Sequence, residues 1–203
     1  MIDRQKRVSD LIGFDRQFRG EGIILAGMDE VGRGPLAGSV VTACVVLPDQ
    51  YVNPWIDDSK KISEKRRELV YEDILTNALY IGIGEVSPWE IDKINILQAT
   101  RKAMIQAASQ VPADVFLIDA VRDLGLNGRE VSLIKGDATS YSIAAASIVA
   151  KVVRDRQMIE LDRLYPQYGF ARNKGYGTAE HTEALKKFGP CPVHRNSFIG
   201  HFV

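Results

Sequence analysis

Residues 22–48, GIILAGMDEVGRGPLAGSVVTACVVLP, decide the fold. The run from Ile23 to Met28 is apolar and closes on two acids, Asp29 and Glu30. A short apolar run bounded by turn residues reads as a strand. Gly32-Arg33-Gly34-Pro35 then marks a turn. Val40 to Leu47 is almost continuously apolar, the pattern of a strand buried on both faces. The spacing predicts a hairpin with an elaborate loop.

Outward from this pair, strands and helices interleave. Residues 1–20 are polar, with Leu11, Ile12 and Phe14 on one short helical face, and read as a lead-in to a domain over 21–203. Ser63 opens an amphipathic helix with Leu69, Val70, Ile74 and Leu75 inward. Residues 78–87, ALYIGIGEVS, alternate as a strand does. Ser87-Pro88-Trp89-Glu90 combines an N-cap, a first-turn proline and a capping-box acid. That helix runs toward Gln110, with Ile91, Ile94, Ile96, Leu97 and Met104 as core candidates. VFLIDA is a strand ending on Asp119, and VSLIK is another. A long helix follows from about Thr139 to Leu164, its first half rich in Ala and Ser and suited to close packing. The tail holds a Gly/Lys loop, then a helix capped by Thr178 and stopped by Gly189. The class is α/β: a mixed sheet with helices on its faces, plus a small helical C-terminal subdomain over about 166–203.

Composition bounds the function. The chain has 203 residues, 45% hydrophobic and 26% charged, with no net charge. That balance excludes a strongly basic domain and any disordered class. From Lys151 onward Lys and Arg outnumber Asp and Glu, so the charge is mildly polarised. Cys44 and Cys191 make neither a disulfide framework nor a CxxC pair. The charged opening MIDRQKRVSD is no signal peptide, and the uncharged run from Ala138 to Ala150 is too short to span a bilayer. A cytoplasmic protein is expected.

Four acids sit where an α/β sheet gathers its ligands. Asp29, Glu30 and Asp119 close strands, and Asp137 lies in a Gly-Asp turn before a helix. Converging carboxylates repel each other, and divalent cations relieve that repulsion. An all-oxygen set selects Mg²⁺ or Mn²⁺ over Zn²⁺. Gly32-Arg33-Gly34 lets a backbone come close to a ligand, with a guanidinium fork for phosphate. Lys60, Lys61 and Lys174 are further loop cations, and Tyr176 sits between two glycines, free to stack on a sugar or base. Each feature alone has a plainer reading. A strand-end acid is ordinarily a turn or cap residue. Adjacent acids on a strand point to opposite faces. Asp123 and Asp155 are acids with no such placement, and His181 reads as a surface or packing residue.

Taken together, GMDEVGRGPLAGSVV, DSKKIS, LIDA, KGDATSYSIAAASIVAKVVRD, NKGYGT and GPCPVHRNSF resemble the type 2 ribonucleases H, and within them bacterial ribonuclease HII. The resemblance runs from about Ile24 to Phe198. It implies a ribonuclease H-like fold with a five-stranded mixed sheet. It also implies cleavage of RNA in RNA–DNA hybrids, and incision 5′ to single ribonucleotides in duplex DNA, leaving 3′-hydroxyl and 5′-phosphate ends. Asp29, Glu30, Asp119 and Asp137 become the catalytic and metal-binding acids, sharing two Mn²⁺ or Mg²⁺ ions. Gly32, Arg33, Gly34 and Tyr176 become the substrate readers, and Lys60, Thr139, Ser140 and Ser142 phosphate contacts. The family often continues past HRxSF with a Pro and a basic end, whereas this sequence reads IGHFV. A monomer with nucleic acid as its partner, no tail-borne clamp tether and no membrane is expected. Two other readings stay open on the residues: a metal-dependent DNA nuclease on a similar fold, and a silent nucleic-acid-binding module.

Overall fold

The computed structural model describes residues 4–57, 59 and 62–202. Its five strands are β1 (Leu25–Val31), β2 (Val40–Val46), β3 (Tyr80–Val86), β4 (Val115–Asp119) and β5 (Arg129–Leu133). They form one mixed sheet in the order β3-β2-β1-β4-β5. The hairpin is present: β1 and β2 are antiparallel, with Met28 opposite Cys44. Strand β4 joins β1 in parallel, with Met28 beside Ile118. Asp29 and Asp119 therefore follow directly on paired residues of two adjacent parallel strands, near their C-terminal ends.

Seven helices accompany the sheet among the described residues: α1 (Arg4–Asp15), α2 (Glu64–Asn77), α3 (Pro88–Ala108), α4 (Tyr141–Leu164), α5 (Phe170–Asn173), α6 (Ala179–Phe188) and α7 (Asn196–Ile199). Alternation along β2 divides the core. Ala43 and Val45 face α1, α2 and α4, while Cys44 and Val46 face Met104 and Ala107 of α3. Helix α4 lies unusually close to the sheet. A Cβ on Gly27 would fall 2.1 Å from the Ser142 backbone carbon, so only glycine permits this approach. The small side chains of α4, Ala144 to Ala146, are fully buried against it.

Several expectations change. Leu69 and Leu75 are exposed. Helix α2 buries a narrow stripe of Val70, Tyr71 and Ile74 instead. Helix α3 breaks at Asn95 (φ 66°), whose Oδ1 caps the second half by accepting from the Leu97 and Gln98 amides. The break turns Leu97 out to solvent. The N-terminal segment is also wired into the fold. Val8 and Leu11 join the core, and buried Asp15 accepts from the Ser142 amide and hydroxyl at 2.8 and 2.7 Å. Caps at Ser63, Ser87 and Thr178 accept from the expected amides.

Candidate active site

The cleft is built from the ends of two parallel strands and the turn before α4. Asp29 and Glu30 lie within the last three residues of β1, which runs on to Val31 rather than ending at the acids, and Asp119 closes β4. Lys135 leaves β5 in the left-handed conformation, and a single 3-10 turn, Gly136–Ala138, presents Asp137. The Gly136 amide donates to Asp119 Oδ1 at 2.6 Å, locking that turn to β4. Arg7 of α1 holds it from outside by donating to the Ala138 carbonyl at 2.7 Å. All four acids line one cavity of about 330 Å³, together with Val31, Ser59, Ser147, Lys151 and Tyr176.

This pocket is electrostatically strained. Burial pushes the Asp29 carboxyl well above its usual range, and the charges of Glu30 and Asp119 push it further. Burial also raises Glu30; Arg33 offsets part of that rise, and Asp119 adds to it. Arg33 reaches Glu30 Oε1 at 3.4 Å, while Glu30 Oε2 is buried with no hydrogen-bond partner. Adjacent acids on a strand were expected to diverge, yet Asp29 and Glu30 border the same cavity. An all-oxygen set holding an orphaned carboxylate oxygen suits a hard divalent cation. Among the described residues no three Asp, Glu, His or Cys side chains are gathered closely enough to hold an ion as they stand. The acids border the space without closing on it.

Tyr176 is exposed at the rim, and an ideal Cβ on Gly34 would lie 3.7 Å from its ring. Gly32 (φ +94°) is packed so tightly that a Cβ would lie 2.3 Å from Arg154 Nε. The loop bearing Arg33 and the loop bearing Tyr176 are thus neighbours, joined by the Leu36 amide donating to the Gly175 carbonyl at 2.8 Å.

Two expected phosphate contacts fail. Ser140 is fully buried and caps α4 through the Ile143 amide at 3.2 Å. Ser142 is equally buried and bound to Asp15. Neither hydroxyl is presented to a ligand. Thr139 is half-buried, its hydroxyl donating to the Lys135 carbonyl at 3.1 Å. Lys60 lies outside the described residues. In their place the cleft holds Lys151, absent from the sequence reading. Its ammonium sits 2.6 Å from Asp155 Oδ1, and burial pulls its pKa down. Asp155 is itself buried and also meets Arg67 at 3.5 Å, so it anchors this cation. Ser147, Lys151 and Asp155 recur every four residues, and Ser147 and Lys151 interrupt the apolar first half of α4, a polar stripe that would have marked the face.

Residues 26–201 match the family model described as Ribonuclease HII. The ribonuclease HII of Ruminiclostridium cellulolyticum is 52% identical over 99% of this chain and 80% of the relative. That of Caldanaerobacter subterraneus is 50% identical over 96% and 82%. The ribonuclease H2 of Pyrococcus horikoshii superposes with a TM-score of 0.74 at 25% identity, covering 86% of this chain and 93% of that one. Fold and acid-lined cleft thus define a metal-dependent endoribonuclease of the ribonuclease H-like fold. The chain belongs to the ribonuclease HII family.

Proposed function

We propose that this enzyme hydrolyses the RNA strand of RNA–DNA hybrids and incises duplex DNA 5′ to single embedded ribonucleotides, leaving 3′-hydroxyl and 5′-phosphate ends. The observation that carries this reading is one cavity bordered by four carboxylates, a lysine and an exposed tyrosine. Asp29, Glu30, Asp119 and Asp137 are the groups to hold Mg²⁺ or Mn²⁺, two ions at once. Bound there, such ions supply an activated water and neutralise charge on the departing oxygen. Lys151 stands where it can meet a non-bridging phosphate oxygen, with Arg33 as a second cation at the rim.

A duplex distinguishes ribose from deoxyribose only by the 2′-hydroxyl. The Gly32-Arg33-Gly34 backbone is the candidate reader of that hydroxyl, because Gly34 carries no side chain to block the approach of a sugar beside Tyr176. The Tyr176 ring stacks on the neighbouring sugar, where a missing hydroxyl lets it lie flatter. Contacts of this kind ignore base edges, so little sequence preference is expected. Lys60 and Thr139 remain candidate phosphate contacts. The same reading has the enzyme act as a monomer in the cytoplasm. No helix among the described residues is long and apolar enough to cross a membrane.

The test is an end-labelled DNA duplex carrying one ribonucleotide, incubated in Mg²⁺ and in Mn²⁺ beside an RNA–DNA hybrid and an all-DNA duplex. One cut 5′ to the ribonucleotide, cutting of the hybrid and none of the all-DNA duplex support the reading. Equal cutting of all three would make the protein a general nuclease.

A further inference from the structure

Two fully buried arginines lie behind the loops that carry Arg33 and Tyr176. Arg195, just before α7, donates from Nη2 to the Gly32 carbonyl at 2.6 Å and from Nη1 to the Arg33 carbonyl at 3.1 Å. Its Nε and Nη2 also reach the Gly38 carbonyl, at 2.9 and 2.7 Å. Arg154, from α4, donates to the Ser39 and Ala37 carbonyls at 3.0 Å each, and to the Lys174 carbonyl at 2.9 Å. Both ends of the 32–39 loop and the start of the Tyr176 loop therefore hang on two guanidiniums.

The planarity of the peptide bond gives this arrangement a direction. In a trans peptide the carbonyl and the following N–H point opposite ways. Drawing the Gly32 and Arg33 carbonyls inward onto Arg195 turns the Arg33 and Gly34 amides outward. Gly34 itself lies beside the Tyr176 ring, which lines the cleft. A guanidinium offers five donors in a rigid planar fork, and Arg195 uses it for four bonds to three carbonyls in fixed directions; an ammonium has only three donors, on one freely rotating nitrogen.

We infer that Arg195 is a positioning residue for ribose recognition: it aims the successive Arg33 and Gly34 amides at the 2′-hydroxyl, while Arg154 fixes their distance from Tyr176. The inference rests on the reading above, that these two loops contact the ribose. Asp92 of α3 supports Arg195 from outside, accepting from the Asn196 amide at 2.8 Å and from the Ser197 amide and hydroxyl at 2.9 and 2.6 Å.

The test measures dissociation constants in metal-free buffer, where the metal-dependent enzyme cuts neither strand. Two duplexes are compared, one with a single ribonucleotide and one all DNA. Arg195→Lys keeps the charge and loses the fork. It should lower the preference for the ribonucleotide about tenfold and leave all-DNA binding within about twofold of wild type. Asp92→Ala leaves Arg195 itself in place and removes only the support from α3, and should lower the preference about threefold. Thermal shifts on adding Mn²⁺ should match wild type in both variants. A wild-type preference in folded Arg195→Lys, or in Asp92→Ala should that lysine variant not fold, overturns the inference. So does an equal loss for both duplexes, which marks a merely structural role. A wild-type protein that binds the two duplexes equally defeats the ribose reading itself, before Arg195 is considered.

Discussion

In the cleft, Asp29 and Glu30 carry carboxyls pushed upward by burial and like charge, and Glu30 Oε2 has no partner. Behind the same loops, Arg154, Arg195, His181 and His194 are at least as deeply buried, and none of them has an orphaned buried atom. The histidines form a chain whose protons follow from its ends. The Tyr176 carbonyl only accepts, so His181 Nδ1 carries a proton to it at 2.9 Å. The Cys191 amide only donates, so His194 Nδ1 is bare and receives it at 2.9 Å. His194 Nε2 then donates to His181 Nε2 at 2.9 Å. Both rings are neutral. One region is left electrostatically open, as a site for cations must be, and the other is closed because it supports the loops beside that site. Burial alone does not separate these two regions; carboxyls raised by like charge mark the one, and paired guanidiniums and imidazoles mark the other.

The largest expected effect is on catalysis. Asp29→Asn should lower cleavage by about 1000-fold while raising metal-free stability by about 1 kcal/mol, because a repelled carboxylate is removed. Steady-state rates and chemical unfolding measure the pair, and a loss of stability would break the contrast. In the closed region the sign reverses. Arg154→Met leaves three carbonyls unpaired and should cost about 3 kcal/mol. Urea unfolding tests this, with the Mn²⁺ response unchanged in whatever fraction stays folded. Next comes the cation itself. Mn²⁺ at about 100 times its dissociation constant should stabilise the wild type by about 2.7 kcal/mol, and Asp29→Asn by less than half of that. Removing the ion with EDTA should reverse the gain, as calorimetry can show.

The smallest effect is a slope with pH. Burial lowers the His194 pKa from 6.5 to about 4, and His181 moves the same way. Between those values the unfolded chain binds a proton that the folded chain does not. Stability from this residue is therefore complete above pH 6.5 and lost as pH falls toward about 4. Its slope approaches about 1.4 kcal/mol per pH unit. His194→Gln should flatten that part of the stability curve, and an unchanged slope would place the titration elsewhere.

The open region was the more legible in sequence. An acid that ends an apolar run shows itself, because strand and turn signals are local; Asp29, Glu30 and Asp119 stand at such ends in the sequence, although β1 itself continues through Val31. The Ser87 and Thr178 caps were legible for the same reason. Ser140 and Ser142 read as phosphate contacts through the family resemblance, and only the closeness of α4 to Gly27 and of Asp15 to the helix start shows otherwise. Lys151 went unread because its polar stripe is set among alanines and valines. Arg154 and Arg195 could not be read at all. Their partners are backbone carbonyls, several of them more than 100 residues away, and backbone carries no signature in sequence. The periodicity of α2 placed Leu69 and Leu75 inward because an apolar face was assumed wider than the surface available to it.

The most direct test of the open cleft is anomalous diffraction from a crystal of the Asp119→Asn protein with a ribonucleotide-bearing duplex and Mn²⁺. The account predicts Mn²⁺ peaks inside the cavity, with oxygens of Asp29, Glu30 and Asp137 about 2.2 Å away. A cavity without such peaks, or ions held only by acids outside it, would contradict the account.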